Sequence, residues 1–192
     1  MKRVGIPQGL FYYYYYPLWK TFFKDLDAEV ITSSSTNRLT IDRGIEAAVD
    51  ETCFPIKVYF GHVKELCGRN LDYIFIPRIV SVESKSYICT KFMGVPDMIR
   101  AAVPDLPPVI DTVLDLSKTD RFLKQDIIKV GKLFTSNTKN IHRAYKHACE
   151  ELVNCKTLAR EGFTMAEAIN LWEGKRLELP DGNDLHIGVL GH

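Results

Sequence analysis

Two of the five cysteines stand where a thiol could do chemistry. Cys53 lies in Asp50-Glu51-Thr52-Cys53-Phe54-Pro55-Ile56-Lys57, a break between two helical patterns. Pro55 suits the first position of a helix, because its missing N–H would have no intrahelical partner there and its φ is already helical. Cys53 then falls about two residues outside, beside exposed backbone N–H groups. The positive end of a helix favours a thiolate, the form that attacks electrophiles or binds metal. Cys89 has a similar setting after the next strong strand. The two are 36 residues apart, so they can meet only through folding. In an open parallel sheet ligands collect beyond the carboxyl ends of the strands, which both segments could reach. We read the two thiols as facing one metal or redox site; the plainer alternative is that each is a small buried hydrophobe.

The other candidates are weaker. Cys67, Cys149 and Cys155 sit within helical patterns and read as packing residues. Lys57, one turn after Cys53, and His62, in Gly61-His62-Val63, could donate to cluster sulfur or to a ligand's phosphates; a solvated lysine and a satisfied histidine are the alternatives. Arg78, Ser81, Glu83 and Lys85 form a dense polar set after a buried strand, either the rim of a site or a solvated loop. Gly5 and Gly9 match neither G-x-G-x-x-G nor a P-loop. Tyr12 to Tyr16 could stack on an adenine or line a cofactor pocket, but five neighbours in a helix cover every side of it, about 100° apart, which favours packing between layers or against a partner.

The elements that must position these residues follow from local pattern. Arg3–Ile6 reads as a strand, 10–26 as a helix with Pro17 kinking it or starting it, and Ala28–Ile31 as a second strand. Thr40 is a candidate cap for a helix with Ile41, Ile45, Ala48 and Val49 on its apolar side. The helix from Pro55 to Cys67 buries Ile56, Tyr59, Phe60 and Val63 and ends at Gly68-Arg69-Asn70. Tyr73-Ile74-Phe75-Ile76-Pro77 has the continuous apolar run of a strand covered on both faces. Residues 78–87 read as an irregular excursion, 96–100 as a short helix, and 109–114 as another strand. The class is therefore α/β, a Rossmann-like doubly wound parallel sheet of about four strands. From Asp120 the pattern becomes helical, with helices around 122–133, 137–162 and 165–171, the last capped by Thr164 and Glu167. We divide the chain into an α/β domain over 1–118, a helical arm or bridge over 119–184, and the start of a second α/β domain over 185–192, where Leu185-His186-Ile187-Gly188-Val189-Leu190-Gly191-His192 opens like a strand. The polypeptide is thus expected to be cut from a longer one.

The totals narrow the classes of function. The 192 residues carry 25 Lys and Arg against 24 Asp and Glu, a net charge of +1. Nothing here draws the chain to nucleic acid or to an anionic membrane. No apolar stretch approaches the roughly 20 residues of a membrane span, and the N-terminus lacks a signal peptide's apolar core, so a cytoplasmic protein is expected. The odd cysteine count without C-x-x-C disfavours a disulfide framework and a zinc ribbon.

Assembled, these segments resemble the D-component-type domain of the 2-hydroxyacyl-CoA dehydratase and benzoyl-CoA reductase family, in the version found in large proteins related to CoA-substrate-specific enzyme activases. The resemblance runs through Val4-Gly5-Ile6-Pro7-Gln8-Gly9-Leu10 with Tyr15-Tyr16-Pro17-Leu18-Trp19, the Cys53 segment with Gly61-His62-Val63, Tyr73-Ile74-Phe75-Ile76-Pro77-Arg78, the stretch from Ser81 to Cys89, Gly94-Val95-Pro96-Asp97, and the last six residues. It implies cytoplasmic proteins of anaerobic metabolism that bind a [4Fe–4S] cluster through cysteines of successive Rossmann-like domains. Cys53 and Cys89 match the first two ligand positions, with Lys57, His62 and Arg78 as candidate cofactor contacts. Cluster sites take about four ligands, so the rest would come from elsewhere, and this piece alone could lack both cluster and activity. The implied partners are an ATP-dependent activase and an acyl-CoA substrate, with a homo- or hetero-oligomer compatible. Three functions follow: an iron–sulfur electron-transfer domain of a dehydratase-like or reductase-like enzyme, a non-catalytic scaffold that docks an activase, and an acyl carrier using Cys53 as nucleophile. The last lacks an obvious base.

Overall fold

The computed structural model describes residues 1–83, 86–115 and 120–177. The expected strand over 185–192, like Lys85, lies outside the described residues. The first half alternates strand and helix: β1 (Lys2–Ile6), α1 (Tyr12–Asp25), β2 (Ala28–Thr32), α2 (Arg38–Ala47), α3 (Phe54–Cys67), β3 (Tyr73–Phe75), β4 (Arg78–Ser81), α4 (Thr90–Met93), α5 (Val95–Ala102), β5 (Val109–Ile110) and β6 (Val113–Asp115). Three helices follow: α6 (Asp120–Gly131), α7 (Thr138–Arg160) and α8 (Met165–Trp172). β1 pairs in parallel with β2 and with β3, and β3 with β5, giving the order β2-β1-β3-β5. This is the α/β class with a four-stranded parallel sheet that the alternating pattern predicts.

The sheet is buried on both faces because its side chains alternate. Val4, Ile6 and Phe75 join Leu18, Trp19, Phe22 and Phe23 of α1 and Ile127, Ile141 and Ala144 of α6 and α7 in one core. Ile74 and Ile76 point the other way, toward Ile56, Phe60 and Val63 of α3 and Ile99 of α5. Each fully buried side chain of this size contributes about 1.5–3 kcal/mol.

Three local readings need correction. The segment after Pro77 is not a loop throughout: Arg78–Ser81 is a strand, pairing in parallel with β6. The 73–81 and 109–115 segments are each one extended path interrupted at Pro77 and at Asp111-Thr112, and the Arg78 N–H bonds the Thr112 carbonyl at 2.9 Å across the interruption. Pro77 has no N–H to give, but its position faces away from this partner: the N–H groups of Ile74, Ile76 and Arg78 bond the carbonyls of Pro108, Ile110 and Thr112 in turn, so the hydrogen bonding carries past it. Asn37, not Thr40, caps α2, its side chain accepting from the Thr40 N–H. The packed face of α2 also differs from its apolar spacing: Ile45 is exposed, while Thr40 and Gly44 are buried, and Val49, exposed too, lies beyond the helix end. Here close approach of backbones outranks side-chain hydrophobicity.

α1 is sandwiched as its tyrosine run requires. Tyr16 is buried, Tyr12 and Tyr15 pack against the cores, and Tyr13 and Tyr14 face outward. The helix continues through a buried Pro17 rather than starting there. The Tyr16 hydroxyl donates to Glu173 Oε1 at 2.9 Å, and Lys20 and Lys175 donate to the same carboxylate. Lys20 lies over the Tyr16 and Trp172 rings at 5.3 and 5.8 Å. Thr164 and Glu167 form the expected capping box of α8. Burial opposes the charge on Glu173, but the hydrogen bonds from Lys175, Lys20 and Tyr16 outweigh it and hold this carboxyl at about 2. A carboxyl depressed on folding stabilises the fold fully above its unfolded value of 4.5, and that share is lost as pH falls toward about 2. Glu173→Gln is expected to cost roughly 2 kcal/mol at neutral pH and to flatten the loss of stability between pH 4.5 and 2. Urea unfolding at pH 7 and pH 3 checks both; an acid loss as steep as wild type's would show that other carboxylates carry it.

Candidate functional site

α3 carries Cys53 to the carboxyl edge of the sheet. It starts at Phe54, so Cys53 is the N-cap residue itself and Pro55 the second helical residue, one position closer than its spacing suggests. The Cys53 carbonyl accepts from the N–H groups of Ile56 and Lys57 at 3.0 and 3.1 Å. Cys89 repeats the arrangement as N-cap of the short α4, its carbonyl accepting from Phe92 and Met93. Neither thiol serves as a cap acceptor, and both residues are exposed. The two segments touch: Lys91 Nζ, on α4, donates to the Glu51 carbonyl of the α2–α3 connection at 2.6 Å. The remaining thiols differ in kind. Cys155 is buried, Cys67 and Cys149 are half-buried, and burial pushes all three thiols up in pKa.

Arg78, at the start of β4, supports the Cys89 segment from below. Its guanidinium donates to the Met93 carbonyl at 2.7 Å and pairs with Asp97 at 2.8 Å, with Asp111 at 3.7 Å. Arg100 closes a four-charge group through Asp97 at 3.3 Å and Asp111 at 2.9 Å. The hydrogen bond to Asp97 is the main reason that the Arg78 pKa is raised and the Asp97 pKa lowered. Arg78 therefore holds the corner between α4 and α5.

His62 lies deep in α3, about 13 Å along the axis from Cys53 at 1.5 Å per residue. It is fully buried, with Ser33 Oγ 3.0 Å from Nδ1 and Thr36 Oγ1 3.0 Å from Nε2. Ser33 Oγ also accepts from the Gln8 N–H at 2.9 Å, so the ring ties the β1–α1 and β2–α2 loops to α3. Burial lowers its pKa against the opposing pull of Glu65, which keeps the imidazole neutral. Both ring nitrogens are thus engaged within the protein. Lys57 is half-buried, one turn below Cys53, with its carbonyl pressed against Gly44.

The edge also carries aromatic residues that spacing did not single out. Phe11, in the β1–α1 loop, meets Phe92 of α4 with ring centroids 5.6 Å apart. Beneath them Tyr59 lies against Gly9, where an added Cβ would stand 2.8 Å from its ring, so only glycine lets the loop approach this closely. Leu10 follows with φ of 54°, a left-handed conformation uncommon for a residue with a branched side chain.

The family described as the CoA enzyme activase uncharacterised domain matches residues 3–192. The chain belongs to that family. No curated protein and no solved structure matches it. Membership places this α/β domain among activase-related proteins of CoA enzymes, the coarser part of the resemblance described above. Among the described residues no helix is long and apolar enough to cross a membrane, and no three His, Cys, Asp or Glu side chains converge as a complete metal site.

Proposed function

We propose that this member of the activase-related family is an electron-transfer domain that supplies Cys53 and Cys89 as two ligands of an iron–sulfur cluster in a cytoplasmic enzyme acting on CoA thioesters. The finer likeness, to the D-component of 2-hydroxyacyl-CoA dehydratases, belongs to the same proposal. One observation carries it. Of the five cysteines only these two are exposed, each caps a helix without using its sulfur, and the Lys91–Glu51 hydrogen bond joins their segments at one edge of the sheet.

The residues fit half of a cluster site. Two exposed thiols and nearby helix-start N–H groups suit an anionic iron–sulfur centre, which takes about four ligands; the others would come from outside the described residues. Such a centre, when bound, supplies one-electron reduction at low potential. The chain's own part is to fix the two sulfurs: α3 through its packing on α2, and α4 through Arg78 at the Met93 carbonyl. Lys57 is close enough in sequence to donate toward sulfur, whereas His62 acts as an internal tie between loops.

Anaerobic reconstitution with iron and sulfide, followed by iron content and the reduced-state EPR signal, tests the assignment. Cys53→Ser and Cys89→Ser should each cut bound iron severalfold, while Cys155→Ala, in a separate core, should leave it unchanged. Iron retained in both serine variants would refute the ligand assignment. Background iron in wild type with all thiols reduced would favour the scaffold reading, in which the domain docks an activase and its cysteines remain unliganded.

A further inference from the structure

The strand order β2-β1-β3-β5 reverses direction between β1 and β3: the chain leaves β1 toward one edge, and from β3 it proceeds toward the other. In open α/β sheets that switch point, beyond the carboxyl ends of the strands, is where a crevice forms and ligands bind. A cavity of about 50 Å³ lies there, walled by Ile6 and Pro7 at the end of β1, Phe75 and Pro77 at the end of β3, Phe11 on the β1–α1 loop and Phe92 on α4. A second cavity of about 70 Å³ adjoins it beneath α1, bounded by Leu18, Leu114 and Ile127. The two share three walls, Tyr15, Trp19 and Ile79.

We propose that these adjoining cavities form one binding site for a small neutral apolar group, a single six-membered ring or a branched alkyl group of similar bulk. Size supports this. An apolar cavity of about 150 Å³ stays dry and admits benzene, and the two voids approach that volume once the partition between them moves. Ile79 is the smallest of the three shared walls, so it sets the width of the partition, whereas Trp19 is held against Phe75 with ring centroids 4.5 Å apart. Chemistry supports it as well. No Lys, Arg, Asp, Glu or His lines either cavity. The Ser81 hydroxyl is committed to the Glu83 carbonyl and the Tyr16 hydroxyl to Glu173. A charged ligand would lose its hydration there without compensation. Access also fits. Phe11, on the β1–α1 loop, and Phe92, on the short α4, are half-buried and lie outside the sheet, so their edge contact can part without disturbing it.

The experiment uses iron-free protein, so its result is independent of the cluster assignment. Fluorobenzene is titrated and followed by ¹⁹F NMR, with benzene as competitor and benzoate as the charged form of the same ring. Wild type should give a saturable shift with a dissociation constant of about 1 mM or below, displaced by benzene and untouched by benzoate. Ile79→Phe fills the space and should weaken binding at least tenfold; Ile79→Ala enlarges it and should bind at least as tightly as wild type. Should Ile79→Phe fail to fold, Leu114→Phe fills the second cavity and carries the same expectation. Absence of a saturable shift in wild type, equal binding by the filled variant, or equal binding of benzoate overturns the proposal.

Discussion

Gly61→Ala is expected to destabilise the protein by about 3 kcal/mol or more, although alanine is the better helix former by about 1 kcal/mol. The reason is distance. A Cβ at Gly61 would stand 1.8 Å from the Thr40 carbonyl oxygen and 2.8 Å from its carbon, and a Cβ at Gly44 would stand 1.9 Å from the Lys57 carbonyl oxygen. Both obstacles are backbone of the facing helix and cannot rotate away, so α2 and α3 must separate along their length. Overpacking that forces backbone shifts costs about 1–3 kcal/mol, and contacts this short lie at or beyond the upper end. Gly44→Ala should cost a similar amount, and the double variant less than the sum, because helices already parted meet the second methyl freely. Gly68→Ala is the control, since its nearest obstacle is 3.6 Å away and its φ of −77° suits any residue. Urea midpoints at constant slope measure all four; a Gly61→Ala protein as stable as wild type would mean that the helices do not approach so closely. Because the α2–α3 connection carries Cys53, the Gly61 and Gly44 variants, but not Gly68→Ala, should lower iron uptake in the reconstitution assay.

Phe75→Ala should cost about 3–5 kcal/mol, the range for a large buried aromatic. Phe75 is 1% exposed on β3, with its ring centroid 4.5 Å from Trp19 and 5.3 Å from Phe23. It also walls the cavity at the switch point, so truncation joins new empty volume to a void already present, and the neighbours have no close-packed surface to collapse onto. Phe75→Leu keeps most of the apolar contact and should cost less than half as much. Thermal and urea unfolding distinguish the two; equal losses would indicate that shape rather than buried volume sets the cost at this position.

The contrast between these sites and the local patterns explains what could be read from the chain. Strand and helix alternation was legible because periodicity reports, residue by residue, which sides of an element are covered: Ile74, Phe75 and Ile76 are all buried, as a continuous apolar run on a doubly covered strand requires. The capping box at Thr164 and the helix start near Pro55 were legible because caps are written within four residues. The α2 face was misread for an equally physical reason. Gly44 and Gly61 pack by lacking side chains, a signal that hydrophobic spacing cannot carry, and so Ile45 and Val49 were expected inside when they lie outside. The strand after Pro77 was missed because its pairing partner is a segment more than 30 residues away.

The same division holds for the function. The sequence by itself determined the α/β class, the resemblance that leads to a CoA enzyme activase domain, and the singling out of Cys53 and Cys89, because proline, glycine and strand ends mark where a backbone exposes its polar groups. Only the tertiary structure decided that the two cysteine segments meet through Lys91 and Glu51, 40 residues apart, that His62 has both nitrogens engaged, and that cavities lie beneath the aromatic helix at the point where strand order reverses. Those facts depend on which elements become neighbours. That is settled by crossovers and backbone contacts between distant segments, which no local run of residues encodes.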